Sequence, residues 1–332
     1  MKRTPIAGAA SALFLAATLA LGGCGGDPAS ISSRPVTSDI SSETSQSSAE
    51  SSLLQTPPVT GTYNGQTITM RYVMETDLQI DIAYCRPFQN GFAIVMRSKD
   101  ENLSYVDREG RVLGDASYAY ASPFDKDGRA LIQRADNSAW AYIDKTGKEV
   151  AEGKSPEISE SDTSMFYEKD GIFGLLDENG HPLTEPVYSF VTSFDQNLSF
   201  VILRDGEHKN VLIDRSGNIQ TILPDDCKYA FIGEKWITCR FGENDKDTRY
   251  GLYDKSGKPI NARLFKAIGN TVDGLMPVME SGRVGLMDEQ GNMIIEPSLT
   301  LDDNYQVDLC IGENIIVGSL NGRMVYIEVS RS

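Results

Sequence analysis

Tyr250-Gly251-Leu252-Tyr253-Asp254-Lys255-Ser256-Gly257 reads as a strand that ends in a tight turn. Strand-favouring residues lead into Asp, whose carboxylate suits the first position of a type I turn because it can accept the backbone N–H groups ahead of it. Gly at the fourth position of the turn accepts the left-handed backbone that a bulged hairpin demands. Working outward, the string recurs as Tyr105-Val106-Asp107-Arg108-Glu109-Gly110, Tyr142-Ile143-Asp144-Lys145-Thr146-Gly147, Leu175-Leu176-Asp177-Glu178-Asn179-Gly180, Leu212-Ile213-Asp214-Arg215-Ser216-Gly217 and Leu286-Met287-Asp288-Glu289-Gln290-Gly291, with a degraded copy at Tyr326-Ile327-Glu328-Val329. Successive acidic positions lie 37, 33, 37, 40, 34 and 40 residues apart, a period long enough for one small antiparallel sheet.

About 15 residues upstream of each string lies a second apolar, strand-like run: 91–96, 129–133, 198–203, 235–240, 275–279 and 315–317, with 164–167 the counterpart in the third repeat. No ten-residue stretch of the folded part carries helical periodicity. Each repeat therefore offers three or four short antiparallel strands, and the chain is expected to be all-β.

Trp140-Ala141-Tyr142-Ile143-Asp144, Phe173-Gly174-Leu175-Leu176-Asp177, Tyr250-Gly251-Leu252-Tyr253-Asp254 and Val284-Gly285-Leu286-Met287-Asp288 resemble the core of WG repeats, in which an aromatic-Gly pair precedes a strand ending in Asp. Pro87-Phe88 with Gly91, Pro123-Phe124 with Gly128, and Glu185-Pro186-Val187-Tyr188 fit the same pattern. The resemblance spans residues 85–329, but Trp140 is followed by Ala141, and the copies at Ser104, Val211 and Val325 lack the glycine. It implies repeated β-sheets and, loosely, an interaction role, since the family is defined by its repeat and not by a reaction.

The ends of the array point to closure. The last repeat stops just after its Asp-equivalent strand, whereas 66–74 is strand-like and precedes the first complete repeat. Pairing the two would finish one sheet from both termini and remove an open edge. The expectation is a seven-bladed β-propeller over 61–332, closed by this N-terminal strand; the alternative is an open β-solenoid.

Residues 1–23 read as an export signal, with Lys2 and Arg3 ahead of an uncharged Ala/Leu-rich run over 6–21. Leu21-Gly22-Gly23-Cys24 resembles the bacterial lipobox, which implies processing before Cys24 and lipid attachment there. Diacyl or triacyl, palmitate-type chains on Cys24 would suffice for stable anchoring without a membrane span. Residues 24–60 read as a flexible tether: 11 of the 23 residues over 30–52 are serine, too polar to repay the entropy of ordering. The folded part is thus expected at the extracytoplasmic face of the cell membrane, as a monomer.

With 31 basic and 47 acidic side chains, a net charge of −16 opposes a broad grip on nucleic acid or anionic lipid. The two histidines, His181 and His208, supply neither a metal cluster nor a catalytic pair. Neither a cofactor motif nor a nucleophile elbow is present. Glu243-Asn244-Asp245-Lys246-Asp247 is only faintly like a calcium loop, with Thr248 where glycine is required. Asp225-Asp226 and Asp302-Asp303 are adjacent acids that point to opposite faces of a strand, so neither pair alone makes a glycosidase site. No metal, cofactor or catalytic residue is assigned.

Four further cysteines give two candidate disulfides: Cys227 with Cys239 across a hairpin loop centred on Gly233, and Cys85 with Cys310 if the ring closes. The bland alternative is four buried thiols. Aromatics off the repeat pattern are the candidate ligand contacts: Tyr118, Tyr120, Phe166, Tyr167, Tyr229 and Trp236. The expected function is a non-catalytic binding or scaffolding module of the bacterial envelope, with an envelope protein or glycan as partner and no nucleic acid. The alternatives are a carbohydrate- or peptidoglycan-active enzyme with an acidic channel, and a structural protein of envelope assembly.

Overall fold

The Asp-to-Gly string builds the same turn six times. In the computed structural model, Asp107 Oδ1 accepts the N–H groups of Glu109 at 3.0 Å and Arg111 at 2.9 Å, while Gly110 N–H donates to the Asp107 carbonyl at 3.0 Å. Asp144, Asp177, Asp214, Asp254 and Asp288 repeat this pattern with the residues two, three and four positions ahead. The six glycines have φ between 74° and 84°, where a side chain would be strained. Hydrogen bonds to the charged form hold several of these carboxyls below the usual range: chiefly the Thr146 hydroxyl at Asp144, the His181 amide at Asp177 and the Ser256 hydroxyl at Asp254. At Asp214 burial pushes the other way, and donors from Asn218, Ser216 and Gln220 outweigh it.

The structure describes residues 52–332 except 100, 115–116, 157–164, 207–208 and 304–308. The signal segment, Cys24 and His208 lie outside the described residues, as does most of the Ser-rich stretch. Every described element is a strand, and all named strand pairs are antiparallel. The longest sheet has 11 strands, running from Ile311–Gly312 through Ile315–Leu320, Arg323–Arg331, Gln66–Gln89, Phe92–Arg97, Leu103–Asp107, Tyr118–Ala121, Arg129–Arg134 and Trp140–Asp144 to Glu149–Glu152, with Val59–Tyr63 paired beside Gln66–Gln89. A six-stranded sheet covers 166–222, a three-stranded one 229–253 and a four-stranded one 267–300. The sequence predicts blades of three or four strands each; in the structure the sheets run on from one repeat to the next. The joint is narrow, a single pair such as Leu103↔Tyr118 or Phe173↔Tyr188.

Packing restores the repeat that the hydrogen bonds blur. Seven units follow the seven strings, and six apolar cores lie between successive units. Strands such as Leu198–Leu203 are apolar on both faces because neighbours cover both: Phe200 enters the core shared with the fifth unit, Val201 that shared with the third. Cores join units one to two, three to four, four to five, five to six, six to seven and seven to one. The second unit ends with the strand Glu149–Glu152 and the third begins with Phe166–Lys169; the two strands belong to different sheets and flank 157–164.

The two ends of the chain pair. Residues 68–79 of Gln66–Gln89 lie antiparallel to Arg323–Arg331, from Ile68↔Arg331 to Gln79↔Arg323. Ile68 and Met70 are fully buried and Tyr72 is 5% exposed, packed with Val325, Ile327 and Val329. The same strand bends and continues as the first strand of the first unit, pairing with Phe92–Arg97. The folded part also begins earlier than residue 61, since Leu53 and Val59 pack against the core of units six and seven.

Candidate functional site

A file of aromatic rings crosses from the fourth to the fifth unit. Phe190 lies on Tyr188–Val191, Tyr229 and Phe231 on Tyr229–Ile232, and Tyr250 on Arg249–Tyr253. Ring centroids are 6.2 Å apart for Phe190 and Tyr229, 4.8 Å for Tyr229 and Phe231, and 6.5 Å for Phe231 and Tyr250. All four are half-buried, and fully buried Phe200 forms the floor, 6.1 Å from Phe190 and 6.0 Å from Tyr229. Tyr229 and Phe231 share a face because they are two residues apart on one strand.

Charge of both signs borders the file. Burial raises the Tyr229 phenol above its usual range, with the Asp195 carboxylate adding to the effect. Burial lowers the Lys255 ammonium, which donates to the Gly233 carbonyl. The arrangement places apolar rings from two sheets beside one acid and one amine, over the buried core that holds Phe200. That chemistry suits holding a partner with apolar faces and a few polar groups.

Of the residues expected to touch ligand, Tyr229 belongs to this file. Tyr120 is also half-buried, stacked with Trp140 at 5.2 Å in the second unit. Tyr167 lies over Gly174, its hydroxyl donating to the Thr184 carbonyl at 2.8 Å, and Trp236 rests on the core of units five and six under the Lys235 ammonium. Tyr118 and Phe166 are corrections: each is 5% exposed and packed inside a core, so neither offers a surface to a ligand. The Tyr118 hydroxyl is buried without a hydrogen-bond partner. Phe190, Phe231 and Tyr250 were not foreseen. Their signal is the recurrence Tyr118-x-Tyr120, Tyr188-x-Phe190 and Tyr229-x-Phe231 in the opening strands of three units.

The other candidate sites resolve into structure. Asn244 Oδ1 accepts the Lys246 and Asp247 amides, and its side-chain amide donates to Asp247, so the supposed calcium loop satisfies itself. No group of three or more metal-ligating side chains occurs among the described residues. Asp302 accepts from Ser319 Oγ and from the Asn321 and Gly322 amides, capping the final hairpin. Cys85, Cys227, Cys239 and Cys310 are all buried, and Cys227 and Cys239 are free thiols. Gly233 does not centre a three-residue loop: its N–H donates to the Trp236 carbonyl, and Cys239 stands opposite Ala230 instead of Cys227.

The glycines of the aromatic-Gly pairs are close approaches, to side chains at Gly174 and Gly251 and to backbone at Gly285. A Cβ on Gly174 would sit 2.4 Å from the Tyr167 ring, and one on Gly285 would sit 2.4 Å from the Ile295 carbonyl oxygen. Residues 173–205 match the family model for the WG containing repeat. This segment is a WG repeat. The match begins in the third unit and ends in the fourth, so the WG repeat in sequence is offset from the packed unit by about half its length. Where the WG glycine is replaced by Ala141, the facing chain supplies Gly153, whose Cβ would come within 2.9 Å of the Ala141 nitrogen.

No curated protein matches the chain in sequence. Among solved structures, streptogramin B lyase is similar at 12% identity, over 79% of this chain and 98% of that one, with a TM-score of 0.38. A gluconolactonase from Xanthomonas campestris is similar at 9% identity, over 82% and 95%, with a TM-score of 0.35. The computationally designed Ika8 protein is similar at 13% identity, over 78% and 98%, with a TM-score of 0.34.

Proposed function

We propose that this chain is a lipid-anchored, extracytoplasmic binding module whose seven WG-like units close into a propeller and present the Phe190–Tyr229–Phe231–Tyr250 file to an envelope protein or glycan. The aromatic file carries the reading: four half-buried rings, packed against one another across two sheets, are contact area already ordered before a partner arrives. The offset between sequence repeat and packed unit supports closure. An array of offset repeats leaves three strands at its C-terminal end that need a fourth, and residues 68–79 supply it. Lipid on Cys24 and a Ser-rich tether supply the position.

A glycan-cleaving enzyme requires one carboxyl kept protonated as general acid. Among the described residues, the carboxyls whose ionisation is displaced, Asp136, Asp144, Glu149, Asp177, Asp214 and Asp254, are all displaced downward, which favours the non-catalytic reading. Two variants test the proposal. Cys24→Ser is expected to leave the protein unprocessed or to release it from the membrane fraction. Phe231→Ala is expected to abolish capture of envelope partners while leaving membrane attachment and the unfolding midpoint near those of the parent chain. Normal processing with full membrane retention in the first, or equal capture in the second, contradicts the reading.

A further inference from the structure

Two thiols meet inside the core between the fourth and fifth units. Cys239 lies mid-strand in Ile237–Phe241, fully buried, and Cys227 closes the turn from Pro224 at 1% exposure. Both belong to the cluster that contains Phe200, Leu212, Ile232 and Ile237, and the two thiols hydrogen-bond to each other. Cys227 Sγ also donates to the Tyr229 carbonyl at 3.2 Å.

We propose that Cys227 and Cys239 are a disulfide site, oxidised by thiol–disulfide exchange while the Tyr229–Ile232 and Ile237–Phe241 hairpin is still unpacked, and sealed when the fourth and fifth units close over it. The oxidant is a disulfide, small-molecule or protein. One cysteine thiolate attacks it, forming a mixed disulfide and expelling one thiolate. The second cysteine then attacks the mixed disulfide and expels the other. The two protein thiols lose two electrons and two protons, and the oxidant becomes two thiols. Timing follows from reactivity. The hydrogen bond with Cys227, followed by burial, pushes the Cys239 thiol far above the ordinary thiol range, so the folded reduced chain offers almost no thiolate to start the exchange. The bond would staple the hairpin beneath Tyr229 and Phe231, yet the inference is independent of what those rings bind.

The test uses the full chain carrying Cys24→Ser and glutathione disulfide as the probe. Refolding from denaturant in glutathione disulfide is expected to give a cross-linked peptide joining residues 227 and 239, and to raise the unfolding midpoint by roughly 5 °C over the chain refolded in reductant. The Cys227→Ala, Cys239→Ala double variant should show no such rise. The folded reduced chain should acquire the link at least about tenfold more slowly than the refolding chain. Absence of the link after oxidative refolding, or a link from either residue to Cys85 or Cys310 in its place, overturns the site. Equal rates in the folded and refolding chains overturn the sealing step. The decisive readout is a peptide from the unsubstituted pair, so poor folding of the double variant leaves the outcome clear.

Discussion

Deleting residues 59–74 is expected to abolish cooperative folding. The deletion removes Ile68, Met70 and Tyr72 from the core of units six and seven and uncovers the Arg323–Arg331 edge. Burying three such side chains contributes about 4.5–9 kcal/mol, at 1.5–3 kcal/mol each. A domain's whole stability is about 5–15 kcal/mol. Thermal unfolding followed by circular dichroism should therefore lose its sharp transition or fall by tens of degrees, and amide protons of 323–331 should exchange freely. Deleting residues 26–48 instead should leave the transition unchanged, because a Ser-rich polar stretch buries little apolar surface, and the first packed side chain among the described residues is Leu53. A sharp transition in the 59–74 deletion, with protection retained over 323–331, would show that the last unit stands without the N-terminal strand.

Tyr326→Ala is the second large effect, expected to cost about 3–5 kcal/mol. Tyr326 is fully buried in the core between the seventh and first units, edge-on to Phe88 at 5.3 Å, and its hydroxyl donates to the Asp107 carbonyl at 2.9 Å. Burial pushes the phenol well above its usual range, so it remains a donor at any pH the fold survives. Tyr326→Phe keeps the ring and loses only that hydrogen bond, at about 1 kcal/mol. The ratio of the two costs, read from denaturant midpoints, reports how much of the joint is packing. Equal costs for the two substitutions would mean that the ring itself contributes nothing to it.

The turns were legible in the sequence because all their determinants are local: an Asp, a Gly three residues on, and apolar residues before them. The pairing of the chain ends was legible too, by counting which end lacked a strand. The side of a strand was harder. Tyr118 and Tyr120 are two residues apart and should share a face, yet a bulge between them sends Tyr118 into the core and leaves Tyr120 half-buried. The same bulge separates Tyr188 from Phe190. Alternation cannot register an inserted residue, so it does not show that Tyr118 turns into the core while Tyr120 and Phe190 stay half-buried. Tyr250 was passed over for a different reason. It occupies the aromatic place of the WG pattern, which had been set aside as architecture, and here its ring also extends the exposed file. Cys227 reaches Cys239 from a turn and not from the facing strand, a geometry that hairpin register alone does not give.

Closure of the ring rests on the meeting of the second and third units. Val150 and Leu183, each 46% exposed, follow the turn strings of these two units, and Ile219, 52% exposed, follows that of the fourth. The native cysteines at 85, 227, 239 and 310 are buried, so in a Cys24→Ser background spin labels can be placed selectively at Val150→Cys with Leu183→Cys, and at Leu183→Cys with Ile219→Cys. A closed ring makes both pairs one step apart, and the two distance distributions should be equally narrow with similar means. A broad or distinctly longer distribution for the 150–183 pair, beside a narrow one for 183–219, would contradict the ring.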